Sequence, residues 1–427
     1  MGRKLVGALA ACALLTPAVA VASDFDHPAS SDTSQQFPSA LPPVGNVQRD
    51  DTPNDPDYDK AEAPENASTN LYDERFDLFG FPSKLTPLAI YADGPNAGKP
   101  MIAGFNAAGA WKIQRGDPDT VVAILDTGIK WDRSGLRLQV HLNKAELPLP
   151  QGAAKYDANN DGVFNVDDYA SDARVNQAKP TGHDLIAAFS DGTDADSNGY
   201  VDDIAGWDFF DDDNDPTDAS SYFAAANHGS GRANDAVEAG NDGDGGLGVC
   251  PKCQFVPLRI WDTFVADQTT FALGVIYAAD NGVSVIEGAD GGLYHSAFAE
   301  QASEYAYQKG AVQTYSGDDL NTGNHNYPAN YSHTMLIQGT VGDTYGLGTD
   351  FGSDAANFLG TLGIPLGSNV PTKSLFRGAG TTQYGGHSSI SMIGATGSEN
   401  TGKAAGAAAM VVAAGKARAT PVNLTPD

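Results

Sequence analysis

Four short apolar runs stand out along the chain: Val121 to Leu125, Phe255 to Ile260 (carrying Pro257 and Arg259), Val283 to Ile286 and Met335 to Ile337. Apolar residues at consecutive positions, without alternation, mark strands buried on both faces. Helix signals lie between them. Thr270 is placed to cap a helix over Phe271 to Asp280, with Gly282 just beyond its end, and a second helix from Phe298 to Lys309 stops at Gly310. A short helix is expected over Ala107 to Gln114, and small-residue helical stretches over Ser230 to Ala239 and Thr401 to Met410. Strand and helix in alternation predict an α/β fold of three layers: a central, mostly parallel sheet with helices on both faces. In such sheets the functional site lies at the carboxyl ends of the strands.

Outside this alternating region the pattern changes. Residues 1–22 have the three parts of a signal peptide: basic Arg3 and Lys4, an apolar stretch from Leu5 to Val21, and Ala20-Val21-Ala22 before Ser23. The apolar stretch is short for a bilayer span and contains Pro17. Residues 23–75 are rich in Asp, Pro, Ser and Asn without apolar periodicity, which predicts a disordered leader. The folded domain is expected over 76–427, with an acidic insertion at 151–220. That insertion holds 17 Asp, no Glu and three basic residues, Lys155, Arg174 and Lys179.

The whole chain of 427 residues carries 54 Asp and Glu against 25 Lys and Arg, a net charge of -29. This excess argues against nucleic-acid binding, which needs clustered cations, and against docking on anionic lipid; it suits an exported protein that holds cations. No segment after the leader is expected to cross a membrane. Of three cysteines, Cys12 would leave with the signal peptide; Cys250 and Cys253 remain as a CxxC pair. One such pair is too few ligands for a structural zinc site, and in an exported protein it predicts a local disulfide.

Two segments of the insertion have calcium-loop spacing. In the first, Asp157, Asn159 and Asp161 occupy positions 1, 3 and 5, Gly162 position 6, Asn165 position 9 and Asp168 position 12. In the second, Asp194, Asp196 and Asn198 repeat the first half, with Asp202 (or Asp203) as a closing carboxylate and no acid at position 12. Both are expected to take Ca2+. The alternative is a solvated acidic surface.

Three residues have the chemistry of a hydrolytic relay. Asp126 ends the first apolar run, where a carboxylate can orient a His ring and stabilise its charged form. His228 begins a helix, whose dipole disfavours the imidazolium and suits a base that is neutral near pH 7. Ser398 precedes a small-residue helix, which places its hydroxyl and amide at the positive helix end. Singly, each has an ordinary structural role: a turn cap for Asp126, a packed His, an N-cap for Ser398. The chain order Asp, His, Ser is one of those known for the Ser/His/Asp triad.

With these motifs the chain resembles the subtilisin-like serine proteases, over roughly residues 105 to 420. The resemblance rests on Val122-Ala123-Ile124-Leu125-Asp126-Thr127-Gly128-Ile129, His228-Gly229-Ser230-Gly231, Gly246 to Arg259, Tyr327-Pro328-Ala329, Gly397-Ser398 and Ala405-Gly406-Ala407-Ala408. It implies a subtilisin-like fold and peptide-bond hydrolysis through an acyl-enzyme. Ser398 would be nucleophile, His228 base and Asp126 orienting acid. The family's substrate-binding Ser-Leu-Gly strand aligns with Ala289-Asp290-Gly291, so Asp290 would favour a basic or polar substrate residue. The family's oxyanion-binding Asn aligns with Asp318, which donates only when protonated. Asn400 is a second candidate donor, and Glu399 puts a carboxylate beside the nucleophile where the family has Met. The chain also stops at Asp427, where subtilases usually continue, so its C-terminus is expected to be truncated.

Together these readings predict a secreted (or periplasmic), monomeric, calcium-stabilised endopeptidase acting on protein or peptide. The alternative is a subtilase-fold calcium-binding extracellular protein with weak or lost catalysis.

Overall fold

The computed structural model describes residues 55, 78, 107–220, 227–262, 267–292, 294–317, 323, 326–342, 376–378, 383, 388–394, 396–418 and 426. The signal peptide, all of the leader except Asp55, and Asp318 lie outside the described residues.

The described elements run in the order α1 (Ala107–Ala110), β1 (Val121–Asp126), α2 (Ser134–Arg137), α3 (Gly182–Phe189), β2 (Trp207–Asp208), α4 (His228–Val237), β3 (Gln254–Arg259), α5 (Gln268–Asp280), β4 (Val285–Gly288), α6 (Ala297–Lys309), β5 (Val312–Ser316), β6 (Met335–Gly342), β7 (Phe376–Gly378), β8 (Ser388–Ile393) and α7 (Gly397–Lys416). The strands form one eight-stranded sheet in the order β2-β3-β1-β4-β5-β6-β7, with β8 also paired to β6. Every pairing is parallel except β6 with β7.

β1 is an interior strand between β3 and β4, and all six of its residues are buried. Its side chains alternate between two cores, as a strand's period of two requires. Val122 and Ile124 face a core with Phe255, Val285, Ala236 of α4 and Ala405, Ala409 and Met410 of α7. Ala123 and Leu125 face the opposite core, with Val256, Leu258, Phe271 and Val275 of α5 and Ala299, Ala302 and Ala306 of α6. Helices therefore cover both faces, and the expected three-layer α/β architecture is present.

The four predicted strands are all found. β5 was not anticipated, because Gln313, Thr314 and Ser316 break its apolar pattern; all three are nevertheless buried. α5 begins earlier than expected: Asp267 is the cap, accepting from the amide of Thr269 at 2.7 Å. α6 ends at Gly310 as expected, in the left-handed conformation. The helix over Ala107 to Gln114 is only one turn long. Cys250 and Cys253 form the expected disulfide.

Candidate active site

Asp126, the last residue of β1, is fully buried at the carboxyl edge of the sheet. Its Oδ1 accepts from the Thr127 amide at 2.7 Å and faces His228 Nδ1 at 2.8 Å; Oδ2 lies 2.9 Å from the same nitrogen. His228, the first residue of α4, is thus held through its inner nitrogen.

Local features keep this pair together. Gly229 packs so closely that a Cβ there would lie 2.3 Å from the Gly128 carbonyl oxygen and 3.1 Å from Asp126 Cβ, so only glycine lets α4 approach β1. Thr127 Oγ1 accepts from the Gly229 amide at 3.1 Å and donates to Asp218 Oδ2 at 3.1 Å. Asp218 Oδ2 also accepts from the amide of Asn227, which precedes α4 with φ 68°. Asp218 belongs to an Asp-rich stretch with no special signal in sequence; its role in holding the His-bearing loop comes only from folding.

Ser398 is the second residue of α7 and is 7% exposed. The loop before it is closed by Thr396, whose Oγ1 accepts from the Glu399 amide at 3.2 Å. α7 packs against α4, and Gly402 makes the approach possible: a Cβ there would lie 2.8 Å from Asp235 Cβ and 2.9 Å from the Arg232 carbonyl oxygen. The Ser-bearing and His-bearing helices are therefore neighbours.

The expectation for Asn400 as an oxyanion donor needs correction. Asn400 is fully buried, and its Nδ2 donates to the carbonyls of Gly394 at 3.1 Å and Thr396 at 2.6 Å. Both amide hydrogens hold the Ser loop in shape, so neither is offered to a substrate. The other candidate, Asp318, is among the undescribed residues.

Sequence reasoning missed a set of charged groups around the pair. Arg232, one turn into α4, donates through Nε and Nη2 to Asp235 Oδ2 at 3.1 and 2.7 Å, while its Nη1 lies 3.3 Å from His228 Nε2. Lys403 Nζ, on the facing turn of α7, meets Glu399 Oε1 at 2.5 Å. Glu287 of β4 is fully buried, and neither of its carboxylate oxygens has a hydrogen-bond partner. Burial pushes its carboxyl well above the usual range; Asp126 adds to the shift and Arg232 opposes it. An acidic residue inside an otherwise apolar strand run was the available signal. Trp261 flanks the other side of His228, with ring centroids 5.3 Å apart.

The segment Ala289-Asp290-Gly291 follows β4. Gly292, next in line, exchanges backbone hydrogen bonds with Tyr327 at 2.7 and 3.0 Å. Ala289 is 6% exposed and Asp290 only 2%, and both Asp290 oxygens lack hydrogen-bond partners. Burial, with Asp126 adding to it, pushes Asp290 up to about 7. An Asp290 open to a substrate side chain was the expectation; the structure buries it.

The acidic insertion brings together a different ligand set from the one anticipated. Glu146, Asp194 and Asp196 each offer an oxygen, all within 4.8 Å of one another. Glu146 was not anticipated, since it lies outside the insertion. Its Oε1 accepts from the amides of Ala195 and Asp196 at 2.8 and 3.1 Å. Asn198 stays beside this group, its amide donating to Asp194 and Asp196. Asp202 does not join it: its carboxylate accepts from the amides of Asp191 and Gly192 at 2.9 and 2.8 Å and holds another turn. In the first loop, Asp168 folds back to accept from the amides of Ala158, Asn159 and Asn165, Asn159 bonds Asp161, and Asp157 pairs with Lys155 at 2.7 Å. An all-oxygen donor set such as Glu146, Asp194 and Asp196 fits a hard cation such as Ca2+.

The chain belongs to the subtilase family: the model of that family matches residues 117–425. Among curated proteins it is similar to thermitase of Thermoactinomyces vulgaris, 32% identical over 138 residues, covering 32% of this chain and 47% of thermitase. It is also similar to fervidolysin of Fervidobacterium pennivorans, 32% identical over 211 residues, covering 46% of this chain and 28% of fervidolysin. These matches thus span less than half the length of either relative. Among solved structures, sphericase aligns over 75% of this chain and 86% of its own, with a TM-score of 0.46 and 15% identity.

Proposed function

We propose that the chain is an exported serine endopeptidase that hydrolyses peptide bonds through an acyl-enzyme. The observation that carries this reading is the Asp126–His228 pair at the carboxyl end of β1. Ser398 lies on the helix packed against the one that His228 begins. Ser398 Oγ attacks the substrate carbonyl and His228 Nε2 accepts its proton. Asp126 holds the Nδ1–H tautomer and stabilises the imidazolium. His228 then gives the proton to the leaving amine, and water releases the acyl group by the same relay. The Ser398 amide at the helix start, with protonated Asp318, holds the oxyanion. The substrate is protein or peptide, with Ala289-Asp290-Gly291 as the binding segment.

Ca2+ bound by Glu146, Asp194 and Asp196, and in the loop of Asp157, Asn159, Asp161 and Asp168, would supply the positive charge that ties down the insertion. Export follows from the character of residues 1–22; no helix among the described residues is long and apolar enough to cross a membrane. We take the protein to act as a monomer.

The contact of Arg232 Nη1 with His228 Nε2 favours a second reading, a subtilase-fold protein with silenced catalysis, because it covers the atom that must accept the proton. A fluorophosphonate probe separates the two. Labelling of the wild type and none of S398A supports the enzyme; wild type without label, on a folded chain, supports the silenced protein.

A further inference from the structure

The charged groups behind the triad divide unevenly. Arg232 is anchored on Asp235 along one edge of its guanidinium, and its remaining nitrogen, Nη1, points at His228 Nε2. The Arg232 side chain is 12% exposed and that of Asp235 17%. Lys403 and Glu399 pair on the facing helix. Glu287 and Asp290 each lack a hydrogen-bond partner at both oxygens, and Arg232 is among the groups that act electrostatically on Glu287. The site therefore holds one guanidinium nitrogen in contact with the base and two buried carboxyl groups without partners, of which Glu287 is the one that Arg232 acts on.

The contact with His228 is compatible only with a neutral ring whose Nε2 is an acceptor. Once Nε2 takes a proton, imidazolium and guanidinium face each other as two donors of like charge. For His228 to work as a base, Arg232 Nη1 must go elsewhere. A buried carboxylate without a partner is itself costly, and Arg232 is a cation that acts on Glu287, so an ionised Glu287 favours a displaced Nη1.

We propose that Arg232 is a positioning residue shared between His228 and Glu287: ionised Glu287 draws Nη1 off His228 Nε2 and frees that nitrogen to accept the Ser398 proton. This rests on the triad reading given above. Glu287 is faced by Asp126 from β1, by Arg232 and Asp235 from α4, by Asp290 beyond its own strand and by Tyr315 from β5; Asp235 is faced in turn by Glu399 and Lys403 from α7. Arg232 is the cation that favours the ionised form, while Asp126, Asp290 and Asp235 oppose it. Burial holds Glu287 protonated well above the usual carboxyl range, so release occurs as pH rises.

The test is the rate of fluorophosphonate labelling of the full chain, scanned from about pH 5 to about pH 10, for wild type, E287Q, R232M and the double variant, with melting temperatures recorded for each. E287Q keeps the shape and neutral charge that burial already imposes. Relative to R232M at the same pH, wild type should rise roughly tenfold across the scan while E287Q stays low and flat, as expected when a base is uncovered. R232M should label at least as fast as wild type at every pH, and adding E287Q to it should change nothing, a non-additivity that simple loss of structure would not produce. An E287Q profile that matches wild type, or additive effects in the double variant, overturns the shared-arginine role while leaving the triad in place. A folded wild type that takes no label at any pH overturns the triad reading and this role with it.

Discussion

Asp126 and His228, 102 residues apart in the chain, meet with both carboxylate oxygens within 2.9 Å of one imidazole nitrogen. If this pair orients and charges the base as proposed, D126N should keep the fold and lower kcat by roughly 10,000-fold, because the ring then loses its tautomer control. Steady-state hydrolysis of a peptide substrate, beside a thermal melt, measures it.

The same meeting depends on the missing side chain at position 229. In G229A the new methyl would sit 2.3 Å from the Gly128 carbonyl oxygen, a backbone atom that cannot move without β1. Overpacking of this kind costs about 1–3 kcal/mol. Both melting temperature and labelling rate should fall, whereas G231A, with nothing within 4 Å of its added carbon and a place inside α4, should leave packing intact and hold or slightly raise the melting temperature.

Arg259, at the end of β3 and opposite Asp126 in register, binds Asp208 and Asp211 at 2.5 Å each and stacks near Phe210. It clamps the end of the acidic insertion to the sheet. The Arg259 and Asp208 side chains are 4% and 2% exposed. Breaking such a pair from one side costs about 3–5 kcal/mol, so R259M should lower the midpoint of urea unfolding markedly, while D211N, at the exposed partner, should have a much smaller effect.

Asp290 gives the stability a pH dependence of known sign. Its folded pKa is raised to about 7, above that of an unfolded Asp, so the folded state holds the proton more tightly. The stabilisation is complete below the unfolded value and is lost as pH rises towards about 7. D290N should flatten that part of the curve. Melting temperatures of both forms between about pH 4 and about pH 8 decide it.

Glu146, Asp194 and Asp196 crowd three carboxyl groups together. A chelator should lower the melting temperature, and added Ca2+ should restore it. In E146Q the response should shrink. An unchanged melting temperature on chelation would count against calcium at either acidic loop.

Local pattern was enough for the layered α/β fold, because uninterrupted apolar runs such as Val121 to Leu125 have no stable place except between two helical layers. It also marked Asp126, His228 and Ser398 as candidates, since each stands at the end of an element that the pattern shows. Other features needed the folded chain. β5 is buried despite its polar residues because they find partners after folding: Gln313 donates to the Ser303 carbonyl of α6 at 2.9 Å and Thr314 to the Ile286 carbonyl of β4 at 3.5 Å. Glu146 joins Asp194 and Asp196, and Arg232 reaches His228, through distances that no spacing along the chain encodes. Asn400 was read as a donor to substrate and instead serves its own loop. Sequence specifies which groups are present and which elements carry them; which atoms receive each hydrogen bond, and which carboxyl is left buried without one, follows from how the helices pack.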